Sequence, residues 1–178
     1  MGDFTSNWKG KVKYLYELMT GAVRLPAGLA FPATQVPSSD ANTLDDYEEG
    51  TFTPLLQFGG ASVGITYTSQ LGKYTKIGRV VFVNIYVTLS NKGSSSGIAS
   101  IEGLPFAAAA SFNVPLTVIY QLVDLNVAGG FYAPAAYIPQ NGAGVLLFEQ
   151  GDNAAIALLT EADFGNTSVV ILSGFYHV

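Results

Sequence analysis

Between Val80 and Leu89 the chain alternates with a period of two. Val81, Val83, Ile85, Val87 and Leu89 fall on one side, and Val80, Phe82, Asn84, Tyr86 and Thr88 on the other. Only an extended strand sends successive side chains to opposite faces, so the first set is a complete apolar row and the second a mixed, aromatic face suited to a second layer or a neighbouring subunit. Val114, Leu116, Val118, Tyr120 and Leu122 repeat the apolar row. Gly78-Arg79 breaks the pattern before Val80 and predicts a hairpin with a strand through Tyr67 to Ile77. Further strands are expected from Thr51 and at 97–102, 114–124, 144–149, 154–160 and 168–177, with turns at Asn141-Gly142, Gly151-Asp152-Asn153 and Gly165-Asn166. Roughly eight strands without a helical period after Gly21, and without internal repeats, point to a mainly β, antiparallel sandwich or jelly-roll-like domain.

The N-terminal part differs. Residues 6–20 read as a short α-helix, capped by Ser6 or Asn7 and ended by Gly21, with Trp8, Val12, Leu15 and Met19 on one stripe. Two heptads do not make a stable isolated helix. The stripe therefore requires copies of itself in a short stalk, a groove on another protein, or a place on the β-domain. Pro26, Pro32 and Pro37 make the next segment extended. The organisation expected is a helical anchor or stalk at 1–24, an extended linker and acidic turn at 25–50, and a β-sandwich head at 51–178.

Charge narrows the function. Only 12% of residues are charged while 49% are hydrophobic, and after Lys92 there is no Lys or Arg. A soluble surface so poor in ions is covered by hydroxyls and amides or by other subunits. The net charge of −5 argues against sequence-independent nucleic-acid binding, which needs a dense basic patch. Cysteine is absent, which removes disulfides and thiolate metal sites. The first residues lack the apolar run of a signal peptide. The uncharged stretches 103–123 and 125–148 are long enough to span a membrane. Pro105, Asn113, Pro115, Pro134, Pro139 and Asn141-Gly142 interrupt them, so both read as buried β-structure with loops and no membrane insertion is expected.

The run Leu44-Asp45-Asp46-Tyr47-Glu48-Glu49-Gly50-Thr51-Phe52-Thr53-Pro54 resembles the segment just before the C-terminal domain of many tailed-bacteriophage and prophage tail-fibre or virion structural proteins. Tyr74-Thr75-Lys76-Ile77-Gly78-Arg79-Val80-Val81, Gly103-Leu104-Pro105-Phe106 and Ser173-Gly174-Phe175-Tyr176 fit the same pattern, and the resemblance covers roughly residues 31–178. It implies a virion structural protein, assembled in the host cytoplasm and later exposed outside the cell, with a homotrimeric β-rich head. Its N-terminal segment would bind another virion protein. Two roles follow: a fibre or spike component that binds the host surface without catalysis, or a capsid decoration or head-fibre protein that stabilises the shell.

Candidate chemistry is sparse. Gly60-Ala61-Ser62-Val63-Gly64 and Gly93-Ser94-Ser95-Ser96-Gly97 match the G-x-S-x-G nucleophile pattern, but neither precedes a helix, and His177 is the sole histidine for a triad with Asp163. Glycan esterase chemistry is a distant alternative. Asp45, Asp46, Glu48 and Glu49 lack calcium-loop spacing and read as a solvated turn, or one facing Lys73, Lys76 and Arg79 of a neighbouring copy. No catalytic residue, metal or cofactor is assigned; Gly142-Ala143-Gly144 does not continue into a dinucleotide fingerprint. A binding surface is the stronger reading. Phe131, Tyr132, Tyr137, Gln140 and Asn141 combine aromatic faces with amides, the chemistry that stacks on and hydrogen-bonds a host-surface glycan. The same aromatics would also suit a core or a subunit interface.

Overall fold

A computed structural model of the chain describes residues 28–32, 34–40, 42–126, 129–153 and 155–178, with the side chain of Tyr132 excepted. The chain divides into two units, Met1–Phe31 and Pro32–Val178. Of the first only residues 28–31 are described, without regular secondary structure, and the helix expected at 6–20 with Trp8, Val12, Leu15 and Met19 lies outside the described residues.

The second unit is built from β-strands, and among the described residues there is no α-helix. In chain order the strands are β1 (Tyr47–Phe52), β2 (Leu55–Phe58), β3 (Ile65–Ile77), β4 (Val80–Lys92) and β5 (Ala99–Glu102). They continue as β6 (Val114–Val123), β7 (Phe131–Ile138), β8 (Gly144–Gly151), β9 (Ala157–Leu158) and β10 (Phe164–His177). All pairings are antiparallel and form one ten-stranded sheet along the path β1-β3-β4-β10-β6-β7-β8-β5-β2, with β9 off the path on β8.

The path curls because β6 changes neighbours. Its first residues, Val114 to Leu116, pair with β7, and Thr117 onward pairs with β10. In the gap that opens, the Tyr120 hydroxyl donates to the Ala135 carbonyl of β7 at 2.8 Å. The two ends of the path, β1 and β2, are joined through Thr53-Pro54, so the curl returns on itself. There Leu56 N–H donates to the Tyr67 hydroxyl at 3.1 Å, and Gln70 Nε2 donates to the Pro54 carbonyl at 2.8 Å. Side chains of β3 thus occupy the backbone groups that β2 would otherwise leave exposed at an edge.

One core fills the curl. The row Val81, Val83, Ile85, Val87 and Leu89 is buried, and faces Leu56, Phe58, Ile101, Ile138, Val145 and Leu147 from the other half of the path. Each such side chain contributes roughly 1.5–3 kcal/mol by leaving water. The expected hairpin is present, with Ile77 opposite Val80 across Gly78-Arg79.

Three expectations need correcting. The acidic stretch is not a solvated turn: β1 starts at Tyr47, four residues before Thr51, and its carboxylates are used separately. Asp46 forms an ion pair with Lys76 of its own chain, both residues 5% exposed. Glu48 accepts from the Tyr74 hydroxyl, Glu49 from that of Tyr47, and Asp45 from Ser38 N–H at 2.9 Å. Second, residues 131–138 form a full strand, hidden from a pattern search by Pro134 and small residues. Third, the strand expected at 154–160 is only Ala157–Leu158.

The pairing of β1 with β3 explains its composition. Gly50 lies opposite Tyr74 and Phe52 opposite Gly72. Each ring covers the other strand's glycine, and a Cβ on Gly50 would stand 2.6 Å from the Tyr74 ring and one on Gly72 2.8 Å from that of Phe52. A side chain at either position would push the ring off the strand.

Lys76 is also held 5.2 Å from the centroid of the Phe106 ring, so its ammonium is enclosed by a carboxylate and an aromatic face. Removing one member of such a pair strands the other charge. Lys76→Met is expected to cost about 3–5 kcal/mol in urea unfolding. Asp46→Leu combined with Lys76→Met should recover most of that loss, and a double variant as unstable as the single one would refute this account.

Candidate functional site

Three separate stretches of chain meet at one end of the sheet and line a pocket of about 170 Å³. Arg79 comes from the β3–β4 turn, His177 from the end of β10, Val114 from the start of β6, and Ala109, Ser111 and Phe112 from the loop between β5 and β6. That loop has no regular structure, so its shape depends on outside contacts. Leu104 N–H donates to the Ala143 carbonyl at 3.1 Å, Ala108 N–H to Gly142 at 2.8 Å, and Ala109 N–H to His177 at 2.8 Å. The buried Tyr176 hydroxyl donates to the Phe106 carbonyl at 3.0 Å. Burial pushes the Tyr176 phenol up to about 12, so it remains a donor at any ordinary pH.

The wall is apolar at Phe112, Val114 and Ala109, and polar at Arg79, Ser111 and His177. Phe112 is 59% exposed, a ring held in the open. Arg79 Nε donates to the Val178 carbonyl at 3.4 Å, which fixes the guanidinium beside the end of β10. Typical ligand pockets measure roughly 300–1,000 Å³. This one suits a single ring of a ligand that continues over the surface.

Of the residues singled out from sequence, Gln140 and Asn141 lie in the exposed turn before β8, next to this loop. Gln140 N–H donates to Asn113 Oδ1 at 3.1 Å, and Asn141 N–H to the Ala109 carbonyl at 3.4 Å. Tyr137 is half-buried on β7 and meets Phe148 edge-on, with ring centroids 5.3 Å apart. Phe131 begins the same strand, roughly 20 Å away at about 3.3 Å per residue. The strand separates Phe131 from Gln140 and Asn141, so these do not form one cluster, and the Tyr132 side chain lies outside the described residues. Sequence reasoning missed Arg79, Ser111 and Phe112, because no local spacing signals a pocket assembled from three distant stretches of chain.

The triad geometry fails. Ser62 and Ser95 lie in loops that interlock through Val63 N–H donating to Ser95 Oγ at 2.8 Å. Those loops sit at the β3 start and β4 end, whereas His177 pairs with Val80 at the β4 start, so β4 separates them by roughly 40 Å at about 3.3 Å per residue. Asp163, just before β10, is likewise a full strand away from His177.

A second concavity, about 760 Å³, gathers Asp124, Glu149 and Asp163 with Asn126, Leu158 and Thr160. Two of these carboxylates are engaged with backbone: Glu149 accepts from Asn126 N–H at 2.8 Å, and Asp163 from Thr160 N–H at 2.7 Å. Nearby, Glu161 accepts from Gly97 N–H at 2.7 Å while its own carbonyl accepts from Lys92 Nζ at 2.8 Å. Among the described residues, no group of three or more His, Asp or Glu side chains is placed to hold a metal ion, and no helix is long and apolar enough to cross a membrane.

Neither a family model nor a curated protein matches this chain. Among solved structures it is similar to the Dettilon tailspike protein (gp208), with a TM-score of 0.61 and 24% identity over 74% of this chain. The match spans 24% of that tailspike's length. The likeness is one of fold, the curled antiparallel sheet described above.

Two outcomes follow. Tyr176→Phe removes the donor that holds the Phe106 carbonyl, and is expected to lower stability by about 1–2 kcal/mol in chemical unfolding. Unchanged stability would show that the loop is held without it. The Glu161 carboxyl is kept below its ordinary 4.5, first by the Gly97 N–H. A depressed native pKa gives stability that is complete above the unfolded value and lost as pH falls through the folded one. The stability gap between wild type and Glu161→Gln should therefore be widest above pH 4.5 and close below it in thermal unfolding. A gap independent of pH would contradict this.

Proposed function

We propose that this chain is a tail-fibre or tailspike-type component of a bacteriophage virion, acting as a homotrimer that contacts the host surface by binding a glycan. The observation that carries the reading is the fold shared with a tailspike protein over 74% of the chain. The run from Leu44 to Pro54, which resembles the entry to phage tail-fibre heads, independently supports it. In this reading the binding site is the pocket beside Gln140 and Asn141. The exposed Phe112 ring stacks on the C–H face of one sugar, while Ser111, Arg79 and His177 supply hydrogen bonds to its oxygens. Binding precedes any later step at the cell surface and itself breaks no bond.

Antibody labelling of intact virions is expected to mark the tail, and label confined to the capsid would overturn the reading. With surface polysaccharide from cells that adsorb the virion, calorimetry should give binding that Phe112→Ala weakens about tenfold, the loss of about 1.4 kcal/mol of stacking. Equal affinity of the variant would remove the pocket from the mechanism.

A further inference from the structure

The outer side of β1, β3, β4, β10 and β6 presents apolar side chains in register across the strands. Leu71 lies opposite Tyr86, Tyr86 opposite Ile171, and Ile171 opposite Ile119. Leu71, Tyr86 and Ile119 are 59%, 40% and 53% exposed, so this row is an open apolar band over four strands. Four residues along the strands, beyond a row of Lys73, Asn84 and Ser173, Phe82 and Phe175 form a second exposed pair with ring centroids 6.0 Å apart. Isolated exposed apolar residues are ordinary, but contiguous rows on one face mark an interface.

We infer that this face is where copies of the chain meet. Charge selects that occupant. Among the described residues of the face, Glu49 and Lys73 are the ionised side chains, one of each sign on neighbouring strands. The whole chain carries −5, so two copies repel through most of their surfaces but not through this one. A strongly basic or acidic partner would find no complementary charge here, whereas a second neutral, apolar face matches it. Size agrees. Five strands about 4.8 Å apart and about nine residues long give on the order of 700 Å². A standard interface covers about 800 Å² per partner. The inference supplies the contact surface for the trimer proposed above, and is independent of where on a virion the protein sits.

Sedimentation velocity of the full chain tests it. Wild type is expected as a multimer of the 18.7 kDa chain at micromolar concentration. Leu71→Glu combined with Ile119→Glu should associate at least tenfold more weakly and run as a monomer. Both positions are solvent-exposed, so far-UV circular dichroism should be unchanged, and Leu71→Ser with Ile119→Ser should give a weaker shift in the same direction. Val63→Glu, exposed on a loop elsewhere, should leave the multimer intact. A wild-type monomer would overturn both the face and the trimer. A multimer that survives the paired Glu substitutions would overturn the face alone, and dissociation by Val63→Glu would show that association is not specific to it.

Discussion

The buried ammonium of Lys76 holds together parts of the chain that sequence distance keeps far apart. Its partners are the Asp46 carboxylate at the start of β1 and the ring of Phe106 in the long loop before β6. Through Asp46 it fixes where β1 joins the sheet, and the Asp46 carbonyl also accepts from Gly78 N–H at 2.8 Å in the β3–β4 turn. Phe106 in turn meets Tyr74 edge-on, with ring centroids 5.5 Å apart, and its carbonyl receives the Tyr176 hydroxyl. A buried ion pair gives little net stability against an apolar replacement, because desolvation offsets the attraction. What this one contributes is position: β1, the β3–β4 hairpin, the loop and the end of β10 are aligned on one another.

The runs from Leu44, Tyr74, Gly103 and Ser173 meet in that cluster. They contain Asp46, then Tyr74 and Lys76, then Phe106, then Tyr176, joined by the contacts above. Gly50 and Gly72, inside or beside the same pieces, are required because aromatic rings lie over them. These runs therefore act chiefly as a folding constraint. It specifies how the head of the sheet is closed, and the pocket residues Ser111 and Phe112 lie outside it. A cluster of this kind fixes architecture rather than ligand choice.

Legibility in the sequence follows from how local each determinant is. The β4 row and its hairpin were readable because alternation and a two-residue turn are properties of adjacent residues. β6 was readable in the same way as far as Tyr120, but Leu122, expected in the same row, is 71% exposed at a positive φ of 56°. β1 was not, since its alternation runs through Asp46, Glu48 and Gly50, whose burial depends on Lys76 and Tyr74 from another strand. β7 escaped because Pro134 and three alanines resemble a loop, and its pairing with β8 contains a bulge after Phe131. Of the residues singled out as a binding surface, Gln140 and Asn141 lie within one loop of the pocket. The pocket itself is a tertiary product: no window of sequence contains Arg79, Ser111 and His177 together.

The shortage of charge acquires a spatial logic in the folded molecule. Several of the few ions present are consumed internally, Asp46 with Lys76 and Lys92 on the Glu161 carbonyl. The rest leave one broad sheet face almost neutral and greasy, while Arg79 stands at the end where the loops gather. A curled antiparallel sheet separates these tasks by geometry. Its strand faces are regular, broad and suited to packing, whereas its ends are where irregular backbone can project single side chains toward a ligand. The loop at that end is tied to the last residues of β10, whose outward side chains also lie on the neutral face. In the proposed reading, packing of copies and shaping of the pocket would therefore act on one strand, separated by its alternation.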